Sequence, residues 1–566
     1  MRTYHLSLLI ILTSFLLLGC QHSPVIFTES QPPKVPQFAE LDNVPKLPSL
    51  STPLIRDNNK EGNTSTQVFN EPNSININDK LSIHQWAVNQ EDAVSQPKLN
   101  RVYFIGISPS ASLENPDVLI EAFSQRRKEL ANQQQHKPDI AACYDSIRFR
   151  ASLHSIAITM QCAAPFNEMQ SLVWAFWDEN ALTNLNIETV QRNLKLNKHI
   201  GAFTGSEIDK VFRSQLLGPQ HPYNVSLDSQ GLVDSLENTE AGFKQLQHLQ
   251  LTTRERLQWH LFTNDVENSF NHDSQKPLNQ PLIERETAEN LHSKTINDSL
   301  PLWLLHDSST SDSMLNNKAS YTASNTASNT AHNTKTLTAE VTPKDQITPT
   351  ATIYLIDAPD TVQTQVRVGF VSENANNLLN HHQQTATNNS VGCKTIAPLL
   401  GRSYSGRLFY DLRETRGLTY GIYGRCVDAP LSQYLYFYGS TALENSGAFI
   451  KGILDHTQLL TESTVSQAEL NAVSTYLIGQ QQLALDTTFG KESNYIRNIL
   501  SGKTTQQAQQ KVNAISQLTP AQFLQISNHV LSHPPTVVIR GDADKISADI
   551  RQKLPSWQVQ LISAHD

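Results

Sequence analysis

Positive charge, cysteine and long apolar runs are all scarce in this 566-residue chain, and each scarcity excludes something. Lys and Arg number 44 against 53 Asp and Glu, so the chain carries a net −9 and lacks the excess positive charge of a nucleic-acid footprint. Apolar residues make up 38%, below the roughly 45–50% usual for globular domains, so a substantial part of the chain is not packed core. Composition excludes a multi-span membrane protein and a collagen-like fibre. There is no G-x-x-x-x-G-K-[ST] run for a P-loop, no G-x-S-x-G elbow and no C-x-x-C pair. Length alone allows roughly three or four domains.

What is present begins at the N-terminus. Arg2 precedes an apolar run from Leu6 to Leu18, shorter than the ~20 residues a membrane helix needs. Leu17-Leu18-Gly19-Cys20 follows and resembles the bacterial lipobox, which makes residues 1–20 a lipoprotein signal peptide and Cys20 the lipid-modified mature N-terminus. An ordinary signal peptide with an incidental cysteine is the alternative. Several acyl chains anchor stably where one does not. Gln21, in place of Asp, implies sorting to the outer membrane, facing the periplasm. Residues 21–97, rich in Pro, Asn, Ser and Gln, read as a disordered tether that cannot offset its ordering entropy by burial. A Ser/Thr/Asn-rich linker spans 307–349, with TASN-TASN-TAHN-T at its centre. Two globular halves remain, 98–306 and 350–566.

Each half holds two cysteines, Cys143 and Cys162, then Cys393 and Cys426, and an oxidising compartment favours one disulfide in each. Residues 143–162 alternate like a hairpin turning near Ser152-Leu153, which would set Ile147 against Ile158, Phe149 against Ile156 and Cys143 against Cys162. Two buried thiols are the alternative. For Cys393 and Cys426 the count alone speaks.

Among 19 histidines, His529 and His533 have helical i, i+4 spacing, but Val530 and Ser532 stand where a metalloprotease motif needs Glu. A surface helix end explains them better. The informative stretch is Gly401–Cys426, GRSYSGRLFYDLRETRGLTYGIYGRC. Ser405 could cap a short helix carrying Leu408 and Leu412 on one face, Gly417 would break it, and Leu418–Tyr423 alternates like a strand. That turn could aim Arg413 and Tyr420 at one groove. Taken by itself, Arg413 also fits a solvated charge at a helix C-terminus.

Gly406-Arg407-Leu408, Leu412-Arg413, Gly417-Leu418 and Tyr420 together resemble the second-domain motif of the pitrilysin (insulinase-like) zinc peptidases, with Gly406 in place of the usual Ser. Ile353–Phe370 resembles that domain's opening strand, turn and strand, and Thr536–Ile546 its closing strand and turn. Ser466 and Glu469 form a capping box for a long helix through about Leu485. The first half resembles the family's first domain more weakly, through the hairpin, helices after Pro165 and from about Ile187, and His221-Pro222-Tyr223. The family's H-x-x-E-H helix should precede the hairpin, yet Ser110–Gln135 contains no histidine. The helix expected to bring a further Glu has no carboxylate after Glu188.

The resemblance implies an α+β fold of two pitrilysin-like domains, each a mostly antiparallel sheet with helices on one face, joined by the disordered linker. It implies no metal site and no catalytic residue in this chain. Arg413 and Tyr420 match the pair that, in the family, lean into the chamber between the halves and donate hydrogen bonds to a bound peptide backbone. A strand edge there can add an extended peptide. The leading expectation is thus a non-catalytic envelope lipoprotein that binds extended peptides and pairs with a homologous subunit carrying the zinc. Two alternatives stay open: an active zinc endopeptidase with a displaced site using residues such as His154 or His199, and an envelope scaffold with a vestigial groove.

Overall fold

The computed structural model describes residues 72–86, 99–108, 113–183, 185–219, 221–225, 230–236, 240–263, 301–305, 351–373 and 383–562. The signal peptide with Cys20, most of the tether and the 307–349 linker lie outside them.

The first half is a six-stranded sheet, order β1-β2-β6-β3-β5-β4, of β1 (Asn73–Asn76), β2 (Leu81–Gln85), β3 (Asn100–Ile107), β4 (Arg148–Ala151), β5 (Ser155–Cys162) and β6 (Gln258–Thr263). Its pairings are antiparallel except β2 with β6. The longer helices are α1 (Pro116–Gln133), α2 (Pro138–Ser146), α3 (Phe166–Phe176), α4 (Ile187–Thr204), α5 (Glu207–Leu217) and α6 (Glu240–Glu255). Strands β1 and β2 thus lie within the stretch whose composition reads as tether. In NSININDKLSIHQW apolar residues alternate with polar ones, and Leu81 and Ile83 reach the core beneath an Asn-rich surface. Asn78 holds the turn: its side-chain oxygen accepts from the Lys80 and Leu81 N–H groups, and its amide donates to the Leu304 carbonyl at 2.6 Å.

The second half repeats the plan with order β12-β7-β11-β8-β10-β9. Its strands are β7 (Thr352–Asp357), β8 (Gln363–Glu373), β9 (Thr419–Ala429), β10 (Ser432–Ala442), β11 (Thr536–Gly541) and β12 (Gln558–Ile562). β7 pairs in parallel with β11 and β12, so both sheets are mixed. Helices α7 (Gln383–Gly401), α8 (Ser446–Glu462), α9 (Gln467–Ala484), α10 (Thr488–Leu500), α11 (Thr505–Ser516), α12 (Pro520–Val530) and α13 (Ala543–Lys553) complete it. The capping box of Ser466 and Glu469 opens α9 as the sequence predicts.

Each sheet buries one face under its own helices, but its other face is also apolar. Val102-Tyr103-Phe104-Ile105 and Val537-Val538-Ile539 are buried on both sides, the pattern of a sheet covered twice. The cover comes from the opposite half. Ile208, Val211, Phe212 and Leu216 of α5 pack on Ile356, Tyr434 and Val538, while Ile496 of α10 packs on Trp86, Tyr103, Ile105 and Phe262. Ion pairs follow the exchange. Glu207 and Asp209 of α5 meet Arg540 and Arg367 at 3.1 and 2.7 Å. Fully buried Glu492 of α10 takes Arg101 at 3.0 and 3.2 Å and the Tyr103 hydroxyl at 3.0 Å.

Both disulfides are formed, with Cα separations of 5.1 Å for Cys143–Cys162 and 5.4 Å for Cys393–Cys426. The hairpin register differs from expectation by two residues: Phe149 faces Ile158 and Ala151 faces Ile156. Pro138 starts a helix, so Cys143 sits on α2 rather than on a strand, and α2 approaches the end of β5, where Ser146 Oγ accepts the Gln161 N–H.

Candidate functional site

After α7 ends at Gly401, a turn leads to a short helix that takes π form over Phe409–Thr415. Arg416 N–H reaches five residues back to the Asp411 carbonyl at 3.0 Å. Such widened turns are frequent at functional positions. Ser405 does not cap this helix; its hydroxyl pairs with Arg402 instead. Leu408 and Leu412 face inward and are fully buried. Arg407 turns inward too and forms a bidentate pair with Glu469 at 2.8 and 3.0 Å. Glu469 is also the capping residue of α9, so one carboxylate closes a helix and neutralises a buried guanidinium. Burial acts to raise the Glu469 carboxyl, but Arg407 outweighs it and the group stays below its ordinary range. Asp411 likewise takes Arg416 at 2.9 Å and His456 at 3.0 Å.

This pinned helix end presents Arg413. Its guanidinium lies 4.6 Å from the Phe409 ring centroid and 4.9 Å from that of Tyr420, with Nε 3.5 Å from the Glu414 carboxylate. Stacking between two rings leaves the in-plane N–H donors open. Gly417, at φ 64°, supplies the left-handed turn that glycine accommodates most readily. β9 then begins, and Tyr420, 87% exposed, stands over Arg413. The helix-to-strand turn thus brings the two side chains together, and Arg413 is held between rings rather than being a freely solvated helix charge.

β9 is an edge strand, unpaired on its outer side among the described residues. Behind it, the Cys393–Cys426 bridge ties it to α7, and helix and strand backbones touch at two glycines: a Cβ on Gly401 would lie 2.1 Å from the Gly424 nitrogen. At its far end the first half grips the β9–β10 turn. His221 Nε2 is 3.2 Å from the Leu431 carbonyl, and the Leu431 N–H donates to the Tyr223 hydroxyl at 3.2 Å. Tyr223 in turn lies 2.8 Å from His154 Nε2. Burial pushes Tyr223 up to about 12 and lowers His154, so both are neutral at pH 7.

A groove of about 640 Å³ runs from Tyr420 across the sheet's outer face, lined by residues such as Gln363, Gln365, Tyr423, Tyr438, Ser440 and Glu444. All its lining residues belong to the second half. At its rim the groove meets the first half, where the Gln365 amide donates to the Thr204 carbonyl at 3.5 Å.

The two elements that would carry zinc ligands are in place as α1 and α4, yet α1 has no histidine and α4 no carboxylate after Glu188. Those residues do not fit a metal. His154 is engaged by Tyr223, His199 is exposed on α4, and His533 lies beyond the end of α12, so it does not share a helix face with His529. Among the described residues no three His, Cys, Asp or Glu side chains converge.

Comparison with known proteins agrees with this geometry. Residues 315–477 match the Peptidase M16 inactive domain, a pitrilysin-type family. The chain is pitrilysin-like and lacks the zinc motif. An uncharacterized zinc protease of Bacillus subtilis (strain 168), YmxG, is 30% identical over 121 residues, 21% of this pitrilysin-like chain and 30% of that protein. The match therefore spans under a third of that relative's length. A peptidase M16 inactive domain from Pseudomonas fluorescens has the same fold, with TM-score 0.53 and 13% identity over 83% of this chain and 98% of its own. A Helicobacter pylori protease gives 0.52 and 11% over 83% and 99%, and a chain of Complex III2 from Candida albicans 0.52 and 9% over 85% and 99%.

Sequence reasoning missed Arg407–Glu469, whose members lie 62 residues apart, and the groove, which needs three strands side by side. A signal existed for the first: an Arg flanked by Gly and Leu in a segment bound for the core.

Proposed function

We propose that this pitrilysin-like protein holds extended peptides along the open edge of β9 and offers that half-site to a homologous subunit that carries the zinc. The observation that carries the reading is Arg413, stacked between Phe409 and Tyr420 beside the outer edge of the eleven-residue strand β9. An edge strand supplies main-chain hydrogen bonds to an added strand, while the guanidinium fork and the phenol donate to a carbonyl. With ligand-bearing residues missing from α1 and α4, the chemistry of cleavage falls to the partner. That a chain of Complex III2 shares this fold supports assembly of such a chain with others. Lipidation at Cys20 would hold the half-site at the outer membrane, facing the periplasm. The test is fluorescence anisotropy with labelled extended peptides. Arg413→Ala and Tyr420→Phe should each weaken binding by about ten-fold, on the order of 1.4 kcal/mol. Unchanged binding in both would favour the vestigial-groove reading, and chelator-sensitive cleavage by the purified chain alone would favour the displaced-zinc one. Native affinity capture that yields no zinc-bearing homologue would remove the pairing.

A further inference from the structure

At the other end of β9 from Tyr420, the strand runs into a charge cluster that the Arg413–Tyr420 pair does not use. Asp428 Oδ2 accepts from the Ser390 hydroxyl at 2.7 Å and the Lys511 ammonium at 3.2 Å, and touches Lys503, with Lys394 at 3.7 Å. Gln433 occupies Oδ1 at 3.2 Å. These groups converge from α7, β9, β10, α11 and the turn before α11. The charged groups acting on Lys503 are Asp428, Lys511 and Lys394, so three cations share one anion. Burial acts to raise the Asp428 carboxyl, but the lysines hold it well below the usual carboxylate range. Burial also brings Lys503 down to about 8 and lowers Lys394. A partly desolvated surplus of positive charge is unfavourable until a further anion joins it.

Two more facts place that anion. Lys503 Nζ donates to the main-chain carbonyl of Asp428 at 3.1 Å, so this lysine closes the free edge where an added strand would run out. Lys394 keeps 38% of its side chain exposed, against 18% for Lys503 and 13% for Lys511, so the cluster is reached from solvent on its side.

We infer that Lys394, Lys503 and Lys511 form a site for a carboxylate of the peptide laid along β9. The inference rests on the peptide reading above and adds a substrate class: extended peptides with an acidic group about eight residues, or ~27 Å, from the residue held at Tyr420.

The probe is a set of fluorescein-labelled fourteen-residue peptides of alternating Thr and Val, with one Glu moved along the chain and a Gln twin for each, titrated against the full chain in detergent. Glu should bind at least five-fold tighter than Gln at one position or two adjacent ones, and nowhere else. Lys394→Gln, the mildest change to the cluster, should cut that gain two- to three-fold with melting temperature unchanged, and Lys503→Met should abolish it. Equal binding of Glu and Gln twins everywhere, with Arg413→Ala weakening both, would overturn the anion site and leave the peptide reading standing. Failure of every peptide to bind would overturn both.

Discussion

Of the four sheet edges, both in the first half are four residues long, β1 and β4, and in the second half β12 has five residues but β9 has eleven. A long open edge invites unwanted pairing, and folded proteins usually keep edges short or covered. The two halves otherwise share a plan: six strands, helices on one face, one disulfide, and one helix given to the other half's sheet. Folding therefore accounts for what they share and leaves β9 unexplained. Among the described residues the first half has no converging set of metal-ligating side chains, while the second has a long edge strand carrying a tyrosine and, beside it, an arginine on a helix held by buried ion pairs.

The exchanged helices are where that shared plan is easiest to break. Glu492 is fully buried against Arg101 and Tyr103, so Glu492→Ala leaves a charge without its partner and should cost ~3–5 kcal/mol in denaturant unfolding. Its counterpart Glu207, 15% exposed and paired with Arg540, should cost only about 1 kcal/mol as Glu207→Ala. Equal losses would mean that burial does not set the strength of the two joints.

The disulfides sharpen the contrast differently. Sequence separations of 19 and 33 predict similar losses of ~3–4 kcal/mol for Cys143→Ser/Cys162→Ser and for Cys393→Ser/Cys426→Ser. Only the second pair should speed hydrogen exchange along β9, because of the two bridges only that one joins the edge strand to α7. Uniform exchange in both variants would show that the Gly401–Gly424 contact suffices to hold the strand.

Acid should act on the first half. Burial, then neighbouring His260, lowers His84 to about 4, and burial lowers His260 and His154. These rings are neutral in the fold and take up protons near pH 6.5 when unfolded, so the unfolded chain binds more protons. Their contribution is complete above pH 6.5 and is lost on acidification, the His84 share down to about pH 4 and on the order of 2 kcal/mol. His84→Phe should flatten the fall in stability between pH 6.5 and 4, and an unchanged slope would place the sensitivity elsewhere.

Local signals carried most of the second half. The Ser466–Glu469 box, the β7 and β8 pattern and the Gly417 break all act within a few residues, and each stands where its spacing puts it. What was illegible is what distant residues build together. β1 and β2 hid inside an Asn-rich stretch because a strand at a sheet edge needs few apolar positions. The hairpin register moved by two residues because Cys143 reaches its bridge from a helix, which alternation cannot reveal. Arg413 and Tyr420 were legible as a pair, while the Phe409 ring that completes the stack was hidden by a turn of helix that widens to π form.

The smallest expected change is the most discriminating. Tyr420 is 87% exposed with no hydrogen-bond partner for its hydroxyl among the described residues, and the Arg413 guanidinium lies between two rings beside its neighbour Glu414. Arg413, 28% exposed, and Tyr420 pack chiefly on each other and on Phe409, and a cation–π contact near the surface is worth about 0.5–1 kcal/mol. Arg413→Ala and Tyr420→Ala should therefore leave the melting temperature within about 2 °C of the parent chain. A residue pair that the fold can lose at so little cost, presented by a helix that two buried carboxylates pin, is maintained by something outside the fold. A destabilisation above about 2 kcal/mol in either variant would show instead that the stack is a structural clasp between helix and strand, and the comparison of the two halves would lose its functional meaning.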